Sequence, residues 1–324
     1  MILRTLLAPL AVILTFAQAS AQDLDKVTIA GWSNTISEIT NILAEPDKGF
    51  FEAQGIELGY VPGTGGGSAI TNMLSGVADV AFTDPASFYQ ALDKGADLVG
   101  IYNIYPQNVF NVVAPVGRGI TTAADLKGKT IGVYSLNSGT RQNLIFLLNE
   151  VGLSEADVTL QVTGLLNFGP VIQGQVDATA ATDTGLFIGK NNGLGEVNVI
   201  NVADSLNVPT DLFVVTRAYY ESNKPVLHRF LAAYRDSAEW MIDGPEEAAE
   251  IAVTRAINGR DEAVNLEIIK LRNISAQSDT TRALGLGHFD LEVLQDGADA
   301  FLEHGLISSR LDMTDVIKQD LIPE

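Results

Sequence analysis

Gly76-Val77-Ala78-Asp79-Val80 and Gly174-Gln175-Val176-Asp177-Ala178 carry one pattern twice. In each, a glycine closes a short helix three residues ahead of an aspartate at the mouth of an apolar strand. Outward from these two points the same unit is written twice. The first copy runs from an apolar strand, Val27–Gly31, through the polar loop Trp32-Ser33-Asn34-Thr35 into a helical stretch ending at Gln54 and Gly55. A strand over Ile56–Val61, the loop Gly63–Ser68 and a helix over Ala69–Ser75 lead to the strand Ala78–Phe82, which ends in Thr83-Asp84-Pro85. The second copy repeats that order: strand Thr130–Tyr134, loop Ser135–Thr140, helix from Arg141 to Val151, strand Val158–Val162, a short helix after Asn167-Phe168-Gly169, and strand Val176–Ala181 before Thr182-Asp183-Thr184.

Strands alternating with helices predict sheets covered on both faces. Two such units predict an α/β protein of two lobes, each a mainly parallel sheet flanked by helices; a single doubly wound sheet is the alternative. The runs Ile101–Pro115 and Val208–Thr216 read as crossovers between lobes, with Tyr105, Asn108, Pro209 and Phe213 as hinge residues. This places lobe I at residues 22–111 and 210–324 and lobe II at 112–209. From Pro225 the chain reads as helix. Leu227, Phe230, Leu231, Tyr234, Ala238 and Met241 fall on one face at three- and four-residue steps, an apolar stripe expected to be core on lobe I.

Arg4, the apolar run Leu6–Phe16 and Ala19-Ser20-Ala21 match a secretory signal peptide over residues 1–21. No second long apolar stretch follows, and no cysteine offers a disulfide or a lipid anchor. The expectation is a soluble periplasmic monomer without stable membrane insertion. A formal charge of −20, from 20 basic and 40 acidic residues, argues against nucleic acid as a partner.

In parallel α/β sheets ligands sit beyond the carboxyl ends of the strands, where helix N-termini leave N–H groups unpaired. That rule nominates Trp32, Ser33 and Asn34; Thr64, Gly65 and Gly66; Thr83 and Asp84; Ser135, Asn137, Ser138, Gly139 and Thr140; Asn167 and Phe168; and Asp183 and Thr184. Trp32 and Phe168 suit a flat ring, and Asp84 and Asp183 suit N–H donors or positive charge. No catalytic residue, metal site or cofactor is expected, because His228, His288 and His304 all lie in the helical tail. Gly63-Thr64-Gly65-Gly66-Gly67-Ser68, with Asp84 about 20 residues on, weakly matches a dinucleotide fingerprint. It leaves a dinucleotide enzyme as the remote alternative.

Lys48-Gly49-Phe50-Phe51-Glu52-Ala53-Gln54-Gly55-Ile56-Glu57-Leu58, Asp125-Leu126-Lys127-Gly128-Lys129-Thr130-Ile131-Gly132-Val133, Ser138-Gly139-Thr140 and Phe301-Leu302-Glu303-His304-Gly305-Leu306-Ile307, with the two glycine–aspartate motifs, resemble the periplasmic substrate-binding proteins of ABC transporters for nitrate, sulfonates, taurine and thiamine pyrimidine precursors. The resemblance implies a two-lobed periplasmic-binding-protein fold, a small polar solute caught between lobes by hinge closure, and delivery to an ABC permease and its ATPase. An exported sensor docking on a signalling receptor would read the same way. The pyrimidine-synthesising branch of the family uses a cysteine-rich iron site, for which this sequence has no cysteine.

Overall fold

The computed structural model describes residues 24–323, so the expected signal peptide lies outside the described residues. The first copy comprises β1 (Asp25–Ala30), α1 (Thr40–Leu43), α2 (Glu45–Lys48), α3 (Phe50–Ala53), β2 (Ile56–Val61), α4 (Gly66–Leu74), β3 (Val80–Thr83), α5 (Pro85–Asp93) and β4 (Leu98–Tyr105). Then follow β5 (Phe110–Pro115), β6 (Thr130–Val133), α6 (Gly139–Glu150), β7 (Thr159–Val162), α7 (Gly169–Ile172), β8 (Ala178–Thr182), α8 (Asp183–Asn191) and β9 (Val197–Asn201). The chain returns through β10 (Asp211–Thr216) to a tail of α9 (Arg217–Ser222), α10 (Lys224–Asp243), α11 (Pro245–Arg255), α12 (Glu262–Ser275), α13 (Asp279–Leu284), α14 (Leu291–Glu303) and α15 (Met313–Val316).

These strands form two five-stranded sheets, ordered β2-β1-β3-β10-β4 and β7-β6-β8-β5-β9. Each sheet is parallel except for one strand, β10 in the first and β5 in the second. The exception follows from connectivity. A chain that leaves one sheet at the carboxyl end of β4 or β9 enters the other at the facing rim, so its next strand must run backwards. The run expected as one crossover strand, Ile101–Pro115, is therefore two strands in different sheets. They are broken at Pro106, which cannot donate to a ladder. The expected boundary after residue 111 falls inside β5.

The duplicated aspartates do the same work in both sheets. The Asp79 carboxylate accepts the Thr28 N–H at 2.8 Å and the Asp79 N–H donates to the Thr28 carbonyl at 2.9 Å. Asp177 repeats both bonds with Thr130, at 2.9 and 2.8 Å. Each aspartate, at the mouth of the central strand of its sheet (β3 or β8), thus locks that strand to its parallel neighbour (β1 or β6) in the same register. The copies differ in their first helix. The expected continuous helix to Gln54 is broken into α1, α2 and α3 by Pro46 and by Gly49, which adopts φ +67°. Its counterpart α6 is unbroken.

The apolar stripe of α10 is buried, as its spacing requires, and packs on the first sheet. Phe213, expected at the hinge, instead lies within β10. Its ring centroid is 4.7 Å from that of Tyr234, 5.3 Å from Phe230 and 5.4 Å from Phe82. It is core of the first sheet. The tail is not confined to that sheet: Phe301 of α14 stacks on Phe146 of α6 (6.0 Å, 14°) and meets Tyr89 of α5 edge-on (5.5 Å). One apolar core, continuous from Phe88 to Leu144, therefore spans both sheets.

Candidate functional site

The two crossovers, residues 106–109 and 202–210, are tied to each other. The Thr210 N–H donates to the Tyr105 carbonyl (2.7 Å), and its hydroxyl accepts the Val109 N–H (3.0 Å) and donates to the Gln107 carbonyl (2.5 Å). The Asn108 amide donates to the Leu206 carbonyl (2.8 Å) and to Asn143 of α6 (3.2 Å). Of the residues nominated as hinge, Tyr105, Asn108 and Pro209 lie at or beside the crossings, whereas Thr210 and Gln107 were not singled out by sequence.

Between the carboxyl rims lies a cavity of about 410 Å3. Of the nominated residues, Trp32, Gly65, Gly66 and Asp84 from the first copy and Ser138, Gly139, Thr140, Asn167 and Phe168 from the second line it. Ser33, Asn34, Thr64, Thr83, Ser135, Asn137, Asp183 and Thr184 are not among its lining residues. Several of these hold the rims together instead. Ser135 donates its hydroxyl to the Thr64 carbonyl, Gly67 donates its N–H to the Asn137 carbonyl (3.1 Å), and the Ser33 and Tyr134 hydroxyls lie 3.4 Å apart.

This contact explains the glycine-rich loop. Gly65 adopts φ 120° and ψ 165°, a conformation open essentially to glycine, and a Cβ there would stand 2.3 Å from the Asn137 carbonyl oxygen. A Cβ on Gly66 would stand 2.1 Å from the Asp84 carboxylate. The loop's N–H groups are largely spent: Thr64 on Ser68, Gly65 on the Trp32 carbonyl, Gly67 on Asn137. Such a loop has little left with which to cradle a phosphate. Asp84, the acid of the dinucleotide alternative, accepts the Ser87 N–H (2.9 Å) and hydroxyl (2.8 Å) as the N-cap of α5.

The apolar walls come from Trp32, Ile36, Phe110, Leu165, Ile172 and Ile188. Trp32 meets Phe82 edge-on at 6.3 Å. Phe168 is 3% exposed and belongs to the core beneath α8, so it offers the cavity far less ring surface than its position in the sequence promised.

The polar side of the cavity is acidic. Among the described residues, Glu38, Asp84 and Asp211 line it, against one cation, Arg272. Burial pushes the Asp84 carboxyl up, partly offset by its bonds from Ser87. Burial, with the nearby charges of Asp84 and Glu38, pushes Asp211 well above the usual carboxylate range. Arg272, 1% exposed, reaches from α12 across the gap. It pairs with Asp183 at the start of α8, has its Nε 3.6 Å from Glu38, and lies over the Tyr105 ring at 5.4 Å. The Thr184 hydroxyl donates to Glu38 at 2.9 Å, a second bond across the same gap. Asp183 and Thr184 are therefore clasp residues in this structure, facing the first sheet's Glu38 and Arg272.

Sequence reasoning missed Glu38, Tyr134, Asp211, Asn258 and Arg272. Arg272 did leave a signal: with Asn265, Ile268 and Ile269 it forms the buried stripe of α12, where a lone charge demands a partner. Asp211 opens a strand that continues with the apolar run Leu212-Phe213-Val214-Val215.

Residues 36–248 match the family described as NMT1/THI5 like. The chain belongs to that family. Among relatives of this NMT1/THI5-like chain, the riboflavin-binding protein RibY of Chloroflexus aurantiacus is 24% identical over 310 residues, 93% of this chain and 87% of the relative. The alkanesulfonate-binding protein SsuA of Xanthomonas axonopodis pv. citri, bound to MOPS, superposes with a TM-score of 0.72 at 18% identity, covering 92% of this chain and 100% of that one. The desulfurization enzyme DSZB shares the fold at a TM-score of 0.60 and 14% identity, covering 92% of this chain and 97% of that one. The fold is that of periplasmic binding proteins, and it also carries an enzyme.

Proposed function

We propose that this protein is the periplasmic solute receptor of an ABC importer, without catalytic activity of its own. It captures one small molecule with a flat ring between its lobes and delivers it to a permease. The observation that carries this reading is a single cavity walled by the carboxyl rims of both sheets and bridged on either side. A ligand there touches both halves, so it biases them toward closure. Opening of the lobes would part the Gly65–Asn137 and Arg272–Asp183 contacts, a motion for which the paired crossovers are the natural hinge. The volume suits one small molecule, and Trp32, Ile36, Phe110 and Leu165 supply flat apolar walls.

A heteroaromatic solute fits better than a sulfonate. Arg272, the cation on the wall among the described residues, is already engaged by Glu38 and Asp183, so an anion would meet acidic side chains and no free cation there. The relative named for riboflavin agrees with a flat-ring ligand.

The test is thermal melting of purified protein against riboflavin, aminopyrimidines and aryl and alkyl sulfonates. A true ligand at a hundred times its Kd stabilises by about 2.7 kcal/mol. If no compound shifts the melting temperature, and native mass spectrometry finds no small molecule bound, the receptor reading fails.

A further inference from the structure

We propose that Asp211 determines the specificity of this cavity, accepting a hydrogen bond from a protonated or N–H-bearing nitrogen of the ligand. The inference rests on the cavity being a solute site and names what the site selects.

The three acids on the wall are not equivalent. Asp84 is occupied by its cap on α5, with both oxygens taken by Ser87. Glu38 accepts the Thr184 hydroxyl and faces Arg272. Asp211 is 6% exposed, lines the cavity, and its carboxylate makes no hydrogen bond or ion pair with any described residue. A buried carboxylate without a partner is costly, and the cost is recovered when a donor arrives. The remaining neighbours do not supply that donor. Tyr60, Tyr105 and Tyr234 sense its charge without bonding to it, and Tyr134 and Arg272 line the same cavity with partners of their own. Backbone pairing with Tyr105 holds Asp211 in place at the start of β10, beside the crossover, so a bond to it also loads the hinge.

Proton linkage follows. Asp211 is held above the ordinary carboxylate range in the empty protein, with Glu38 and Asp84 as the charges that raise it. A cation bound against it reverses that shift, so capture releases a proton and cation affinity rises with pH.

The test uses three two-ring probes of similar shape: 4-aminoquinoline (cationic at neutral pH), quinazolin-4-one (neutral, with one N–H) and naphthalene-1-sulfonate (anionic). Calorimetry on the wild type should rank the cation and the neutral donor above the anion. In two buffers of different ionisation heat, it should show proton release with the cation. Asp211→Asn keeps the side-chain volume and should weaken 4-aminoquinoline by about tenfold to a hundredfold. It should spare or improve the sulfonate and leave the empty protein's melting temperature equal or higher. The inference is overturned if the sulfonate ranks first, if Asp211→Asn changes the cation's Kd less than twofold, or if none of the three binds although the wider screen finds a ligand. Failure of the whole screen would overturn the receptor reading instead.

Discussion

The two copies share a skeleton and divide the labour. In each, an aspartate three residues beyond a helix-ending glycine ties its strand to the parallel neighbour, through Thr28 of β1 in the first copy and Thr130 of β6 in the second. The strand orders β2-β1-β3 and β7-β6-β8 are the same. The copies part where β3 and β8 end. Asp84 is itself the N-cap of α5 and turns into the cavity wall, whereas in the second copy Thr182 is the N-cap. Asp183, one residue later, is left to face Arg272. A one-residue change in which side chain caps a helix has converted a wall acid into a clasp acid. Duplication preserves the hydrogen bonds that set register, and it leaves the rim free to specialise.

That asymmetry can be broken most sharply at Arg272. Arg272→Ala leaves Glu38 and Asp183 facing a buried gap without their cation, and should cost about 3–5 kcal/mol in urea denaturation. A loss under about 1 kcal/mol would mean that the clasp is not a structural ion pair. The shared skeleton is sharpened by a matched pair, Asp79→Ala and Asp177→Ala. Each deletes a charged acceptor of one strand N–H and should cost roughly 1.5–3 kcal/mol, with the half-exposed 3.4 Å Arg118–Asp177 pair adding little on the second side. Unequal losses, measured in the same denaturant, would show that the motif is held for different reasons in the two copies.

Next is Gly65→Ala. Strain at φ 120° and contact with the Asn137 carbonyl should hold the rims apart and weaken any ligand by about tenfold, equivalent to 1.4 kcal/mol. An unchanged Kd would place closure elsewhere.

The smallest effect is in pH. Asp84 and Asp211 have folded-state values above the ordinary 3.8, so they stabilise most below that value and lose the contribution as pH rises through their folded values. Asp125, which accepts the N–H groups of Thr121 and Thr122, is held at about 2. Its contribution is present above 3.8 and is lost as pH falls toward 2. The melting temperature of the empty protein should therefore decline from mildly acidic to neutral pH, by roughly 2–4 °C per kcal/mol. Asp211→Asn should flatten that decline while leaving the acid limb intact. An identical profile in the variant would remove Asp211 from the account.

Much of this was legible in advance because the relevant forces are local. Glycine at helix ends, polar residues at strand ends and period-specific apolar runs place elements along the chain. The repeated motif then placed Trp32, Gly65, Asp84, Ser138 and Asn167 on facing rims. Pairing across the gap was not legible. Nothing in the sequence of α12 says which loop Arg272 will reach, since it meets Asp183 across 89 positions of chain. Phe213 was read as a hinge residue because it lies in the crossover run Val208–Thr216, yet the aromatic cluster of α10 draws it into the core.

The sequence by itself determined that there are two sheet-and-helix units, with loops and helix N-termini at their rims, because hydrogen-bond and apolar periodicities are short-range. Only the tertiary structure decided which acid is left without a partner. That depends on how the acids at the N-cap of α5, at the start of β10, on α8 and in the turn holding Glu38 compete for the same few donors, Arg272 of α12 among them, around a space of about 410 Å3.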